Sequence, residues 1–167
     1  NDQRYIDALT LLANTYRHLW LLEQSYQAVS QALELKPDYH YVLYGMGRTL
    51  LAMGQYADAS NFITKALFSG APVVKFDLGH SLYRQNKINE AKQNFLEVID
   101  IIKDEPYQLL LAQYCLVQMG EGQGPDMQLI QQGLPHWKAT AEKFSNTPYG
   151  TAIQADVDTL NSWLKET

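Results

Sequence analysis

The feature that most constrains this chain is a 34-residue period in its small and apolar residues. Ala32 and Ala66 are 34 residues apart, and a leucine follows each of them. The clearest copy covers residues 40–73, with Gly47 in its first half and Gly54 near its middle. A period of this length is typical of stacked helical hairpins, because one hairpin alone cannot bury its apolar face.

Composition limits the class of protein. The chain has 167 residues, of which 46% are hydrophobic and 19% charged, so it is long and apolar enough to bury a core. The net charge of −5 argues against a nucleic-acid binder, which is normally basic. Cys115 is the single cysteine, so we interpret it as a small buried residue and predict no internal disulfide. The sequence contains no run of about 18 apolar residues, so no membrane-spanning segment is predicted. The compartment stays open, with the cytoplasm favoured.

The apolar pattern predicts helices throughout. Apolar residues recur at intervals of three and four, and no long alternating run predicts a strand. Helix pairs are predicted at 4–19 and 22–36, at 39–53 and 56–69, and at 73–85 and 88–103. Pro37, Pro72 and Pro106 fall at the junctions between these pairs, where a missing N–H is least costly.

Copies of the repeat are predicted at residues 6–39, 40–73 and 72–105. The middle copy has small or apolar residues at the small and apolar positions of the repeat in both helices: Leu43, Met46, Gly47, Leu50, Ala59, Ile63 and Ala66. On these residues the chain resembles the tetratricopeptide repeat (TPR) family over about residues 6–105. The resemblance implies a right-handed superhelical stack of antiparallel helix pairs, an all-α solenoid.

The other two copies depart from the family pattern at specific positions. In the first copy, Trp20 stands at the turn where glycine is usual, and Ser25 stands where alanine is usual. In the third copy the turn carries Asn86, a residue that tolerates left-handed backbone. We therefore expect the third turn to keep the backbone of the glycine turn.

After Pro106 the pattern degrades into a predicted fourth helix pair at 106–145. One face of its second helix is apolar, with Gly133 and Pro135 expected to kink it: Met127, Ile130, Leu134, Trp137, Ala141 and Phe144. A capping helix is predicted at 148–165, with Ile153, Val157, Leu160 and Leu164 facing inward and Asp156, Asp158 and Lys165 elsewhere. The whole chain, 1–167, is interpreted as one domain.

No constellation of residues predicts catalysis. The four histidines do not share the i, i+4 spacing of a helical metal pair, and no Cys-x-x-Cys occurs: His18, His40, His80 and His136. A phosphate-binding glycine loop is also absent from the sequence. The chain is therefore predicted not to be an enzyme and to use no cofactor or metal.

The resemblance implies a binding groove, because in the family the first helix of each hairpin lines the concave face. Carried onto this chain, the inward positions include Asn14, Arg17, His18, Tyr41, Tyr44, Arg48, Phe76, His80, Tyr83, Arg84, Tyr107 and Tyr114. Three of the four arginines and none of the nine lysines fall on this face. Arginine and tyrosine are typical of interface hot spots. The alternative is that the tyrosines pack between hairpins and the arginines lie in water.

The predicted function is a protein–protein interaction module that binds a peptide or extended segment of a protein in this Tyr/Arg groove. A weaker resemblance connects the turn at residues 52–56 and the tyrosine-rich groove with the TPR-type chaperones of type III secretion translocators. A structural or oligomerisation spacer of a larger protein is the other alternative, and a weak homodimer is compatible with either. The family's carboxylate-clamp subtype is disfavoured, because Thr10 and Gly45 replace two of its clamp residues and only Asn14 matches.

The sequence also leads to an expectation about variants. If the groove side chains face solvent in the absence of a partner, a double variant with Tyr44→Ala and Arg48→Ala should stay helical with nearly native melting while losing its partner.

Overall fold

The structure, a computed structural model, describes residues 3–67, 71–102, 106–118 and 127–165, and within these ranges it leaves out the side chains of 106–110, 129, 148 and 149. The described residues form nine helices and no strand: α1 (Gln3–His18), α2 (Leu22–Leu35), α3 (His40–Ala52), α4 (Tyr56–Ala66), α5 (Pro72–Arg84), α6 (Ile88–Val98), α7 (Pro106–Gln118), α8 (Met127–Lys143) and α9 (Pro148–Lys165). The predicted all-α class is confirmed, and the helix bounds differ from the predicted ones by a few residues. No helix in these ranges has the length and apolar character needed to cross a membrane.

The chain divides into two compact units, the N-terminal unit (residues 1–94) and the C-terminal unit (residues 95–167). In the N-terminal unit each helix from α1 to α5 packs on the next, and α1 also packs on α3, as α3 does on α5. The first helices of successive pairs are therefore neighbours, as in a stack of hairpins. The prediction of one domain over residues 1–167 stays a prediction.

Helices α3 and α4 approach each other closely at Gly47. A Cβ atom built there would lie 2.5 Å from Cγ1 of Ile63 and 3.3 Å from the carbonyl oxygen of Ala59. Ala59 and Ala66 are fully buried or nearly so, at 0% and 1% exposure. Gly47 and Ala59 therefore lie where α3 and α4 pack closely.

The turns within the first three helix pairs share one backbone conformation. Trp20, Gly54 and Asn86 all have left-handed backbone, with φ of 61°, 76° and 61°. In each turn the N–H of this residue donates to the carbonyl three residues earlier, and the next N–H donates to the carbonyl five residues before it. These bonds satisfy the last carbonyls of the helix, as in a Schellman motif. The expectation for Asn86 is confirmed, and Trp20 differs from the repeat pattern in side chain but not in backbone.

Ser25 occupies a position where the repeat usually has alanine, and its hydrogen bonds explain how the hydroxyl is accommodated. Its side chain is fully buried, and its Oγ donates to the carbonyl of Ala13 at 2.8 Å. The same Oγ lies 2.9 Å from Oγ1 of Thr49 on α3. A buried hydroxyl is tolerated only when it is hydrogen-bonded, so Ser25 links α2 to both neighbouring first helices at little cost.

In the C-terminal unit α7 packs on α8, and α8 packs on α9. The predicted apolar faces are confirmed by the buried side chains of Ile130, Leu134, Trp137, Ala141, Ile153, Val157 and Leu160, with Met127, Phe144 and Leu164 half-buried. Cys115 is buried, as expected. α8 continues through Pro135, and the predicted kink there stays a prediction.

One residue of α9 does not lie where the sequence predicted. Asp156 is 4% exposed and belongs to the interior, not to the outer face with Asp158. It follows Ile153 by three residues, which places both on the same side of the helix. The polar outer face of α9 is therefore narrower than predicted.

Candidate functional site

A cavity of about 430 Å³ opens between α1 and α3, and we call it the first-helix pocket. α1 contributes Asp7, Thr10, Leu11, Asn14 and Arg17, and the segment that contains α3 contributes Tyr39, Tyr41, Tyr44, Gly45, Arg48 and Thr49. The residues of α1 follow one another at intervals of three or four, with Leu11 beside Thr10, so they share one helical face. The pocket brings together Asn14, Arg17, Tyr41, Tyr44 and Arg48 from the predicted set.

A buried carboxylate from α5 supports two of these residues. The hydroxyl of Tyr44 donates to Oδ2 of Asp77 at 2.5 Å, and Nε of Arg48 lies 3.5 Å from the same oxygen. Asp77 is only 8% exposed. The guanidinium of Arg48 also lies 5.5 Å from the centre of the Tyr44 ring, within the range of a cation–π contact. Asp77 therefore fixes the orientation of both pocket side chains.

Sequence reasoning missed Asp77, because the inward positions carried over from the family do not include it. A signal was present. Asp77 is the single acidic residue in α5, and it follows Tyr44 by 33 residues, close to one repeat period. A lone carboxylate within an apolar first helix, one period from a tyrosine, indicates a bond between neighbouring repeats.

Burial is the largest cause of the pKa shifts of Asp77, Tyr44 and Arg17. Burial raises the pKa of Asp77, and the charge of Arg48 opposes that rise. Burial, and next the negative charge of Asp77, raise the pKa of Tyr44, so its hydroxyl stays a proton donor. Burial, followed by the positive charge of Arg48, lowers the pKa of Arg17 to about 10. Arg48 pairs with Asp77, while Arg17 contacts only neutral groups, so this end of the pocket carries an excess of positive charge.

Arg17 is held in place by its neighbours on α1. Its Nη2 atom donates to Oδ1 of Asn14 at 2.5 Å and lies 3.3 Å from Nε2 of His18. Both contacts lie on one turn of helix, so they orient the guanidinium without neutralising it. Burial, and then the charges of Arg17 and Arg48, lower the pKa of His18, which keeps its ring neutral.

The opposite end of the pocket is acidic. Asp7 precedes Arg17 by ten residues, which is about 15 Å along a helix. Partial burial, followed by the charge of Asp7, raises the pKa of Tyr39. Between the two ends lie exposed apolar groups: Tyr41 is 58% exposed, Leu11 is 66% exposed, and the Tyr39 and Tyr41 rings meet edge-to-face at 5.4 Å. The pocket is polarised, with an apolar middle.

The remaining predicted residues do not share this pocket. Phe76 is 3% exposed and Tyr114 is 5% exposed, so the expectation that they face an open groove is corrected. Phe76 has no polar atom to keep it at the surface, and Tyr114 packs against the rings of Trp137 and Trp163 at 5.9 and 5.6 Å. Both rings contribute to the interior.

The other predicted residues of α5 are half-buried: His80, Tyr83 and Arg84. Nε of Arg84 donates to Nε2 of His80 at 3.3 Å. Burial, and then the charge of Arg84, lower the pKa of His80 to about 3. His18 is exposed at the end of α1, and the side chain of Tyr107 lies outside the described residues.

The pocket offers groups for binding. It presents guanidiniums, hydroxyls, one carboxylate and apolar rings. Within the described ranges, no three or more His, Cys, Asp or Glu side chains come together as a metal site. The arrangement can fix the position of a polar chain that carries an acidic group and an apolar group.

Comparison with known proteins reveals similarity only at the level of structure. No family model matches the sequence, and no curated protein does either. Among solved structures, the chain is similar to YrrB, a TPR protein with an unusual peptide-binding site. The TM-score is 0.59 at 17% identity, over 96% of this chain and 86% of YrrB.

A second similar structure is a mutant of the O-GlcNAc transferase of Thermobaculum terrenum, with a TM-score of 0.61 at 17% identity. The match covers 86% of this chain but 28% of that one, so the chain spans under a third of the transferase. At 17% sequence identity, these two structures support a comparison of folds only. Together with the 34-residue period and the packing of successive first helices, these likenesses show that the chain has the tetratricopeptide repeat fold.

Proposed function

We propose that the chain is a protein–protein interaction module, and that the first-helix pocket binds an extended segment of a partner protein. One observation carries the proposal: two guanidiniums, Arg17 and Arg48, line a cavity with exposed apolar walls, and of the two only Arg48 pairs with the carboxylate of Asp77. A partly buried guanidinium that lacks its own counter-ion binds an incoming carboxylate strongly. The similarity to YrrB, a TPR protein that has a peptide-binding site, supports the same class of function.

The chemistry of the pocket suggests the order of groups in the partner. An acidic side chain or a C-terminal carboxylate fits the end formed by Arg17 and Arg48. An apolar side chain fits against Tyr41 and Leu11, which are mostly exposed. At the far end, Asp7 can accept a hydrogen bond from a backbone N–H or a lysine. The span of about 15 Å corresponds to roughly four or five residues of extended chain.

The test begins with selection of peptides from a randomised display library, followed by measurement of their affinity by fluorescence anisotropy. Arg17→Met keeps the length of the side chain and removes its charge, and Arg4→Met is the matched control on the same helix. Tyr41→Ala removes an exposed ring, and Tyr5→Ala is its control, because the two tyrosines are 58% and 56% exposed.

We expect the selected peptides to be enriched in an acidic residue next to an apolar one. Arg17→Met and Tyr41→Ala should each cost about 2–4 kcal/mol of binding, as anchor residues do, and the controls should change it little. Binding should also weaken as salt rises, because charge pairs contribute. Peptides without acidic enrichment, or equal binding by variants and controls, would contradict the proposal. A library that yields no peptide at all would favour the alternative that the chain is a structural or oligomerisation spacer of a larger protein.

A further inference from the structure

A second groove lies along α2 and α4, the second helices of the first two pairs, and we call it the second-helix groove. Two cavities, of about 360 and 570 Å³, share Leu33 of α2 and Phe62 of α4 in their walls. The first lies over Met46 and Leu50 of α3, and the second extends past the turn before α3 to Lys65. No residue of this second-helix groove lines the first-helix pocket, so the two surfaces are distinct.

The floor of the second-helix groove is apolar. Met46 and Leu50 are each 3% exposed, and they are continuous with the core of the unit. Leu33 and Phe62 are half-buried above them, and Tyr26 is 38% exposed at one side. Apolar side chains that remain half-open over a buried floor offer area that a partner can cover.

The rim of the groove is acidic. Glu34, Asp38 and Asp58 are exposed along it, and within the described part of the chain none of these carboxylates forms an ion pair. The one basic residue in the lining is Lys65, whose Nζ lies 5.6 Å from the centre of the Phe62 ring. The rim therefore carries three negative charges against one positive charge.

We propose that the second-helix groove binds a basic amphipathic helix of a partner protein. An apolar groove with a rim of one sign of charge fits a helix whose apolar side chains enter the groove and whose Lys and Arg side chains meet the carboxylates. A second copy of this chain is a poor occupant, because each copy carries a net charge of −5 and two copies repel each other.

The test uses a fluorescein-labelled Lys/Leu peptide of about four helical turns, with leucine at the i, i+3, i+4 and i+7 positions. A Glu/Leu peptide with the same leucine pattern is the reference. Both are titrated with the full chain at about 0.15 M salt, an ionic strength that screens distant surface charges. Binding is followed by anisotropy, and helix content and melting of each variant by circular dichroism.

The rim is tested by a double charge reversal, Glu34→Lys with Asp58→Lys. The control is Glu90→Lys with Glu142→Lys, which changes the net charge equally. Asp58 and Glu90 are both third in their helices, Glu34 and Glu142 are both next to last, and all four are exposed. We expect the rim variant to weaken binding of the Lys/Leu peptide about tenfold or more, and the control to weaken it about twofold or less.

The apolar wall of the groove is tested by Phe62→Ala against Phe144→Ala. Both rings are half-buried, and each has a lysine Nζ near its face, at 5.6 and 5.2 Å. Phe62→Ala should weaken binding about tenfold, while Phe144→Ala should not. If Phe62→Ala does not fold, the rim variant decides alone, because its substitutions are exposed.

Three outcomes would overturn the inference. Equal loss in the rim variant and its control would mean that the peptide responds only to net charge. Equal affinity for the Glu/Leu peptide would mean that the acidic rim plays no part. Loss of binding on Tyr41→Ala, a first-helix pocket variant, would place the peptide in the other site. Because Tyr41 lines the first-helix pocket and not the second-helix groove, that last result would count against the second-helix groove but not against the proposed function of the pocket.

Discussion

The hydroxyl of Tyr44 donates a 2.5 Å hydrogen bond to Oδ2 of Asp77, and this bond joins α3 to α5. Arg48 approaches the same oxygen at 3.5 Å. Because Asp77 is buried, removal of both partners would leave a carboxylate with little solvation and little compensation. We therefore expect the double variant Tyr44→Ala with Arg48→Ala to lose stability, contrary to the sequence-based expectation of nearly native melting.

The first prediction isolates this hydrogen bond. Tyr44→Phe removes only the hydroxyl and should lower the free energy of unfolding by about 1–3 kcal/mol, the usual effect of leaving a buried charged acceptor short of a donor. Urea denaturation measures it. Tyr41→Phe is the control, since Tyr41 is 58% exposed, and it should stay within about 0.5 kcal/mol of the wild type. Equal effects of the two substitutions would show that the Tyr44–Asp77 bond adds nothing to stability.

The second prediction compares two glycines of α3. A Cβ at Gly45 would lie 3.4 Å from Cγ2 of Val29, an ordinary contact, so Gly45→Ala should stabilise the helix by about 0.5–1 kcal/mol. A Cβ at Gly47 would lie 2.5 Å from Cγ1 of Ile63, so Gly47→Ala should cost about 1–3 kcal/mol by overpacking. Thermal melts of the two variants should shift in opposite directions. A Gly47→Ala variant that melts no lower than the wild type would mean that α3 and α4 are farther apart than described, and a lower melting temperature for Gly45→Ala would mean that its Cβ crowds Val29.

The repeat period predicts the stack of helices well, because burial of one face on a neighbouring hairpin imposes small residues at fixed spacing. Gly47 and Ala59 are visible in the sequence for that reason. The turn at Trp20 is harder to predict, since its side chain argues against the left-handed backbone that it adopts. There the hydrogen bonds of the turn outweigh the local preference of the residue.

The site is less predictable than the fold. The family's inward positions place Tyr41, Tyr44 and Arg48 in the pocket, but they also include Phe76, which is buried. Asp77 was missed because it is not one of the family's inward positions, and its one signal, a lone carboxylate close to one period after Tyr44, does not belong to the repeat pattern. Side-chain burial depends on which neighbour covers a position, and a single sequence does not contain that information.

The third prediction concerns the left-handed turns. At Gly54 an added Cβ would find open space, its nearest neighbour being the Tyr56 hydroxyl at 3.9 Å, so only the backbone conformation opposes Gly54→Ala. The cost should be about 1–2 kcal/mol, the usual penalty for a side chain in this conformation. Asn86 is exposed with φ of 61°, so Asn86→Ala should destabilise and Asn86→Gly should not. Chemical denaturation of the three variants checks this order, and a stable Asn86→Ala variant would contradict it.

The fourth prediction concerns pH. Burial, and then Arg84, lower the pKa of His80 to about 3, while an imidazole in the unfolded chain titrates near its ordinary value of about 6.5. Between these values the unfolded chain binds the proton and the folded chain does not. Stability from neutral His80 is therefore complete above about pH 6.5 and is lost as the pH falls towards 3. Asp77, whose pKa is raised, changes stability in the opposite direction, so the comparison must be made between variants.

His80→Gln should reduce the loss of stability between pH 7 and pH 4, because glutamine cannot take up the proton and its amide oxygen can still accept the Arg84 bond. The measurement is the free energy of unfolding in urea at several pH values for the wild type and the variant. An NMR titration of the His80 ring gives an independent check on the same group. A ring that titrates near its ordinary pKa, or a variant whose stability follows the wild type at every pH, would show that His80 is not protected from protonation by the fold.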